Sequence, residues 1–206
     1  MGEFRMFTGI TQNIGKLNDM RWKNEQELRL YISTSNPFFK DVHLGDSIML
    51  DGTCLTVVDF SAHDAEFEIM VPTFHTTMVR TYQLGQHINL EKAMPASDRF
   101  DGHFVLGHVD GIGKVVKREQ SESTILLTFQ PDDQNLMTQI VKKGSVAISG
   151  VSLTVVTTSK NTFQVGLIPS TMQHTNLGNL TVGNQVNIET DILAKYLVKD
   201  GIKNDN

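Results

Sequence analysis

The chain has 206 residues, with 18 Lys and Arg against 23 Asp and Glu and a formal net charge of −5. No Lys/Arg cluster stands out, which argues against a nucleic-acid or anionic-membrane partner. No apolar run approaches the roughly 20 residues of a membrane span. Cys54 is the only cysteine, so no intrachain disulfide can form, and the composition fits a reducing compartment. With no signal-peptide core at the N-terminus, a cytoplasmic location is expected. Residues 1–5 precede a second methionine, Met6, and read as a cloning remnant outside the fold.

In chain order, residues 28–32, 47–50, 54–58 and 65–70 predict short strands. They are apolar, β-branched or alternating, and Gly, Asp, Asn or Ser bounds each. Residues 37–39 and 71–78 predict short helical connectors. Residues 94–101, with Pro95, Ala96 and Ser97, form a loop-like junction. The strand pattern then returns at 124–129, 145–148, 152–156 and 162–167, with connectors at 133–140 and 169–173. Turn signals every ~8–12 residues predict a small barrel or sandwich. The last segment, 191–199, places Ile192, Lys195, Tyr196 and Lys199 at helical spacing behind Asp191 as N-cap. It has no counterpart earlier in the chain and is expected to be an oligomer contact.

The return of the pattern is an internal repeat. Asp51-Gly52-Thr53-Cys54-Leu55-Thr56-Val57-Val58 reappears as Ser149-Gly150-Val151-Ser152-Leu153-Thr154-Val155-Val156, an offset of 150 − 52 = 98. The same offset relates Gly9 to Gly107, Gly15 to Gly113, Ser47 to Ser145, Asn89 to Asn187 and Glu91 to Glu189. A gap-free repeat of this length predicts two copies of one small domain rather than a solenoid. The copies differ where chemistry would sit: Cys54 aligns with Ser152, and Ile10 with His108. Glycines inside strand patterns, Gly9 and Gly52 with their equivalents Gly107 and Gly150, mark close backbone approach and favour a ligand pocket in each copy. No phosphate loop and no zinc signature occurs. His103 and His108 are five residues apart; on a strand an odd separation points them to opposite faces, so they are not expected to share a metal ion.

Four segments carry a family resemblance: Met6-Phe7-Thr8-Gly9-Ile10, then residues 51–57, then Gly102-His103-Phe104-Val105-Leu106-Gly107-His108-Val109-Asp110-Gly111, and Gly150-Val151-Ser152-Leu153-Thr154-Val155. In order and spacing they resemble the riboflavin synthase family of the α-chain type, from Met6 to the C-terminus. The resemblance implies an all-β chain of two tandem six-stranded Greek-key β-barrels plus a C-terminal α-helix, assembled as a homotrimer. It sets a first barrel at 6–103, a second at 104–191, and a helix and tail at 192–206. It implies a transferase reaction, the last step of riboflavin biosynthesis. Two molecules of 6,7-dimethyl-8-ribityllumazine exchange a four-carbon unit, giving riboflavin and 5-amino-6-ribitylaminouracil, with no metal or organic cofactor. One lumazine would sit in each barrel, and the active site would lie between the first barrel of one subunit and the second barrel of its neighbour.

The resemblance also assigns residues. His108 is the candidate base for the acidic 7-methyl group. Cys54 and Ser47 suit the attack at C7, as nucleophile, water-positioning groups or hydrogen-bond donors. Asp191 would orient a catalytic group, or simply cap the helix. Substrate contacts are implied for Gly9, Ile10, Thr11, Leu55, Thr56, Gly107, Val109, Ser152, Leu153 and Thr154, with Ser152 and Thr154 playing in the second barrel the ring-binding part of Cys54 and Thr56 in the first. The ribityl chain and pyrimidine edge would meet Glu68, Ile69, Met70, Val71, Pro72 and Thr73, and equivalently Gly166, Leu167, Ile168, Pro169, Ser170 and Thr171. Lys143 would reach a neighbouring subunit's ligand. Phe7 would stack on a ring or pack in the core. Three positions depart from the family pattern: Ser149 and Glu68 stand where Asp is common, and Leu106 where a polar residue is common. Losing the carboxylate at Ser149 is expected to alter ring hydrogen bonding in the second barrel. The family's non-catalytic relatives, the lumazine proteins, hold a lumazine or flavin in one barrel and tend to lose the thiol or the histidine. Lumazine synthase is a further assembly partner known for some members.

Overall fold

The computed structural model describes residues 6–95 and 97–201, except for the side chains of residues 200 and 201. The expected cloning remnant 1–5, Ala96 and the tail 202–206 lie outside the described residues. The first six strands are β1 (Asn13–Asn24), β2 (Glu27–Ser33), β3 (Ser47–Leu50), β4 (Thr53–Phe60), β5 (Asp64–Met70) and β6 (His87–Lys92). They close into an antiparallel barrel in the order β1-β2-β5-β4-β3-β6. Strands β7 (Gly111–Ser121), β8 (Thr124–Pro131), β9 (Ser145–Ile148), β10 (Val151–Thr158), β11 (Phe163–Leu167) and β12 (Gln185–Thr190) close a second barrel of the same order. In both, three consecutive strands meander while an earlier strand pairs with the last of them, which is the Greek key. Closure leaves no long exposed edge.

Period-two alternation builds each core. On β2 and β5, Leu28, Leu30, Ile32, Ala65, Phe67 and Ile69 point inward and are buried. Burying each large side chain contributes roughly 1.5–3 kcal/mol. The second barrel fills its interior with Leu127, Phe129, Val155, Phe163, Val165 and Leu167. The β3–β4 hairpin turns on Asp51 (φ 44°) and Gly52 (φ 84°), and the β9–β10 hairpin on Ser149 (φ 44°) and Gly150 (φ 78°). Two consecutive positive-φ residues make the turn that matches strand twist, hence Asp-Gly and Ser-Gly at these positions.

The constant offset fails over one hairpin. Leu17 pairs with Ile32 in the first barrel, whereas its equivalent Val115 pairs with Phe129. Residue 32 therefore corresponds to 129, an offset of 129 − 32 = 97. The first hairpin carries irregularities at Leu17/Asp19 and Trp22/Asn24, and the second only at Val115/Lys117. The extra bulge supplies the extra residue. The chain regains the original offset before Ser47 and Ser145, so the repeat is not gap-free.

Connectors also differ from expectation. Residues 71–78 become a short helix, α1 (Val71–Thr76), followed by a 3-10 turn, Met78–Thr81; 169–173 becomes α2 (Pro169–His174) and a 3-10 turn, Asn176–Asn179. Residues 133–140 contain a 3-10 turn, Gln134–Thr138. Residues 37–39 form a plain turn, not a helix. The C-terminal helix α3 spans Ile192–Gly201.

The barrels clasp each other about a pseudo-twofold relation. The Asn89 side chain donates to the Ser149 carbonyl (3.0 Å) and accepts from Asn176 N–H (2.8 Å). Its equivalent, Asn187, donates to the Asp51 carbonyl (2.7 Å) and accepts from Met78 N–H (2.8 Å). Gly52 and Gly150 meet on this interface: a Cβ on Gly52 would lie 2.8 Å from the Gly150 nitrogen. Phe7 and Val105 bridge the barrels as an antiparallel pair, with Met49 and Ala147 packed beside them.

Candidate functional site

The barrel walls have an outer face, and the chemistry-bearing residues share it. On β4, Leu55 and Val57 point into the core, so Cys54 and Thr56 point out. Ser47 on β3 pairs with Thr56, Thr56 pairs with Glu68 on β5, and Glu68 pairs with Arg29 on β2. Ser47, Thr56, Glu68 and Arg29 thus form one row across four strands, with the Cys54 thiol two residues from Thr56. Arg29 lies 3.2 Å from the Glu68 carboxylate and 3.6 Å from Glu66.

A segment of the second barrel lies against this row. Gly107 accepts a hydrogen bond from Cys54 N–H at 2.9 Å. Its backbone (φ 74°) is left-handed, and a Cβ there would sit 2.6 Å from the Cys54 Cβ, so only glycine fits. Glu189 on β12 fixes the segment, accepting from the N–H groups of Leu106 (2.7 Å), Gly107 (3.0 Å) and His108 (3.1 Å). Burial pushes the Glu189 carboxyl up to about 7, while those N–H groups and Lys195 favour its anion. His108 emerges beside the thiol strand with an exposed side chain. The structure thus brings Cys54 and the Gly107–His108 segment together within one chain.

The second barrel repeats the construction. Ser152 N–H donates to the Gly9 carbonyl at 2.8 Å, and Gly9 (φ 77°) again has no room for a Cβ, which would lie 2.7 Å from the Ser152 Cβ. Glu91 holds this segment through Thr8 N–H (2.7 Å), the Thr8 hydroxyl (3.0 Å) and Gly9 N–H (3.0 Å); burial raises its carboxyl to about 7. Ser145 and Thr154 pair as Ser47 and Thr56 do. Gly166 pairs with Leu126 where the first barrel pairs Glu68 with Arg29, so this wall is small and apolar. His103, buried, sets its Nδ1 2.7 Å from Ser152 Oγ.

Several expected contacts fall elsewhere. Phe7 is fully buried between the barrels, paired with Val105, and offers no face to a ring; core packing is its role. Leu55, Ile69, Leu153 and Leu167 point into the cores, which leaves only their backbone for a ligand. Ile10, Met70 and Ile168 are exposed apolar side chains flanking the two outer faces, as a ligand or partner contact would have them. Thr11, Val109, Val71 and Thr73 are half-buried, as is Thr171, whereas Pro72, Pro169 and Ser170 are exposed. Lys143 is exposed in a turn at φ 70°. Asp191 Oδ1 accepts from Leu193 N–H at 2.9 Å, the N-cap geometry of α3. The Asp51/Ser149 departure does not concern a ring. Asp51 is buried in the barrel interface, where its carboxylate accepts from Asn89 N–H (2.8 Å), Asn176 (2.9 Å) and the Tyr82 hydroxyl (3.1 Å). At the equivalent of Tyr82 the second copy has Leu180, so Ser149 has no hydroxyl partner to satisfy. His103 and His108 lie on no named strand; one is buried and the other exposed.

Glu91, Glu189, Asn89 and Asn187 belong to no chemical motif, and their one signal in sequence is that all four obey the 98-residue offset. His103 stands out in sequence only as half of a histidine pair, and nothing local announces a partner 49 residues away.

Paired barrels, each presenting a hydroxyl- or thiol-bearing strand under a glycine segment from the other barrel, define a tandem two-site binding fold. The lumazine binding domain family matches residues 8–93 and again 106–191. Among curated proteins, riboflavin synthase of Actinobacillus pleuropneumoniae is 38% identical over 93% of this chain and 88% of its own length; that of Bacillus subtilis is 38% identical over 94% and 89%. The riboflavin synthase of Schizosaccharomyces pombe is 35% identical over 94% and 93%. Among solved structures, LumP complexed with 6,7-dimethyl-8-(1'-D-ribityl) lumazine superposes with a TM-score of 0.79 at 26% identity, covering 90% of this chain and 99% of that one. LumP complexed with riboflavin gives 0.81 at 25% identity, with the same coverage. The chain belongs to the riboflavin synthase family.

Proposed function

We propose that this chain carries out the riboflavin synthase dismutation with one 6,7-dimethyl-8-ribityllumazine held on the outer face of each barrel. The observation that supports this most is the placement of Cys54 against the Gly107–His108 segment, in a chain that matches riboflavin synthases over nearly its whole length. The reaction needs two copies of one heterocycle held face to face, and a duplicated domain provides two like sites. Orientation of that kind supplies about 7–11 kcal/mol of barrier reduction in the best intramolecular cases.

His108 is the candidate base. Its imidazole is exposed beside the thiol strand and can accept a proton at a ring nitrogen, which suits removal of a proton from the 7-methyl group of one ring. Cys54 and Ser47 face the same side and serve attack at C7 of the other ring, as nucleophile, water-positioning groups or donors. Two carbon–carbon bonds to the second ring form as the four-carbon unit leaves the first. One molecule becomes riboflavin, the other the diaminopyrimidinedione, and the atoms of two lumazines account for both products. Asp191 and Lys143 belong to the second barrel's side, where they are proposed to orient groups of a joint site.

A homotrimer is proposed because α3 leaves Leu193, Tyr196 and Leu197 exposed on one face, at i, i+3 and i+4 spacing. A neighbouring subunit's second barrel would then cover the first barrel's row.

The test is incubation of the pure protein with 6,7-dimethyl-8-ribityllumazine alone, following riboflavin by absorbance. Catalytic riboflavin formation is expected. Tight binding without turnover would assign the chain to a carrier role, a reading favoured by its likeness to the LumP complexes.

A further inference from the structure

We propose that His103 is a positioning residue that frees the Ser152 hydroxyl hydrogen to donate toward an acceptor atom of the heterocycle bound on the second barrel. The identity of that ligand rests on the function proposed above; the His103–Ser152 coupling does not.

His103 is held through its backbone. Its main-chain N–H donates to the Thr8 carbonyl at 3.2 Å. The preceding Gly102 sits so close to that carbonyl that a Cβ would lie 1.9 Å from it, so the chain is pinned on the N-terminal segment. The residue is 7% exposed, and burial keeps its imidazole below its ordinary pKa, against the opposing charge of Asp191. It is therefore neutral near pH 7 and carries one proton. Its Nδ1 lies 2.7 Å from Ser152 Oγ, while its Nε2 is buried without a hydrogen-bond partner among the described residues. A buried N–H left unpaired is the costlier of the two arrangements, and a buried lone pair the milder. The proton belongs on Nδ1, which donates to Ser152 Oγ. The hydroxyl hydrogen is then released to point outward.

Ser152 is half-buried on the outer face of β10, under Gly9 and beside exposed Thr154. A hydroxyl hydrogen directed there favours a carbonyl oxygen or an unprotonated ring nitrogen as its partner. The first barrel carries other residue types: 98 residues before His103 the sequence reads Arg5, and Cys54 stands where the second copy has Ser152. A thiol is a weaker donor than a hydroxyl, which lets identical ligands bind in non-identical electronic states.

The first experiment uses the ligand-free protein with 15N-labelled histidine. His103 is expected as a single tautomer protonated at Nδ1, and Ser152→Ala should shift its resonances. A ring protonated at Nε2, or one indifferent to Ser152→Ala, overturns the proposal whatever the enzyme activity. The second experiment is riboflavin titration in a double-mutant cycle. His103→Leu should weaken binding about tenfold, the scale of one polar bond. His103→Asn, which keeps a donor near the Nδ1 position, should restore most of it. In the Ser152→Ala background, His103→Leu should change nothing further. Equal weakening with and without the serine hydroxyl would make His103 merely structural and overturn the proposal.

Discussion

Single residues control this site by what they hold in place. His108 is placed by its backbone, through Glu189, and its imidazole is left exposed. His108→Ala should lower turnover by about 10²- to 10⁴-fold, the usual share of general acid–base catalysis, with lumazine affinity little changed. Full turnover in steady-state assays would remove the histidine from the mechanism. Gly107→Ala should cost about 1–3 kcal/mol in chemical denaturation, because it strains a left-handed residue and drives a methyl into Cys54. The buried carboxyls carry a pH signature. Asp51, Glu91 and Glu189 are each raised to about 7 by burial, so the folded protein binds protons more tightly than the unfolded chain. Their contribution is fully present below their unfolded pKa values and is lost as pH rises through about 7. Thermal unfolding should therefore occur at higher temperature at pH 6 than at pH 8, and Glu189→Gln should flatten part of that slope. His103, lowered by burial, works in the opposite sense below its ordinary 6.5. An unfolding temperature that rose from pH 6 to pH 8 would contradict this. Cys54 and His108 were legible in sequence because thiol and imidazole are the residue types that differ between copies. Phe7 was not, because its burial depends on a bridge to Val105, a contact across nearly half the chain.

At the scale of elements, turns were easier to read than strands. Asp51-Gly52 and Ser149-Gly150 announce tight hairpins because few other residues tolerate two successive positive φ values. Strands β6 and β12 were missed by residue pattern because they bury both faces. Asn89 and Glu91, like Asn187 and Glu189, are polar yet buried, which destroys the alternation that marks a strand. The one-residue slip between β2 and β8 was also hidden, since it is compensated before β3 and β9. Helix α3 is tied to the second barrel by Lys195, 2.6 Å from Asp110, while Leu193, Tyr196 and Leu197 face away. Truncation before Asp191, or Leu197→Glu, should weaken subunit association in sedimentation. An unchanged oligomer would give the helix another task.

For the whole molecule, duplication matters through the interface it creates. Asn89 and Asn187 each satisfy a carbonyl and an N–H of the opposite barrel, so the two outer faces stand in a fixed relation. Asn187→Ala would leave the Asp51 carbonyl and the Met78 N–H unpaired and should cost about 1–3 kcal/mol in denaturant unfolding. A cost near zero would mean that the barrels are joined by apolar packing alone. The existence of two barrels could be read from the repeat, but their mutual orientation could not. It rests on contacts between residues 60 to 136 positions apart, whose pairing no local pattern encodes. In the proposed reaction two identical ligands, one per barrel, are donor and acceptor for each other. The most direct test is the ratio of lumazine consumed to riboflavin formed, with no other carbon source or cofactor added. Two lumazines lost per riboflavin gained, with the pyrimidinedione appearing in equal amount to riboflavin, is the predicted result. A one-to-one ratio, or a requirement for a second carbon donor, would contradict it.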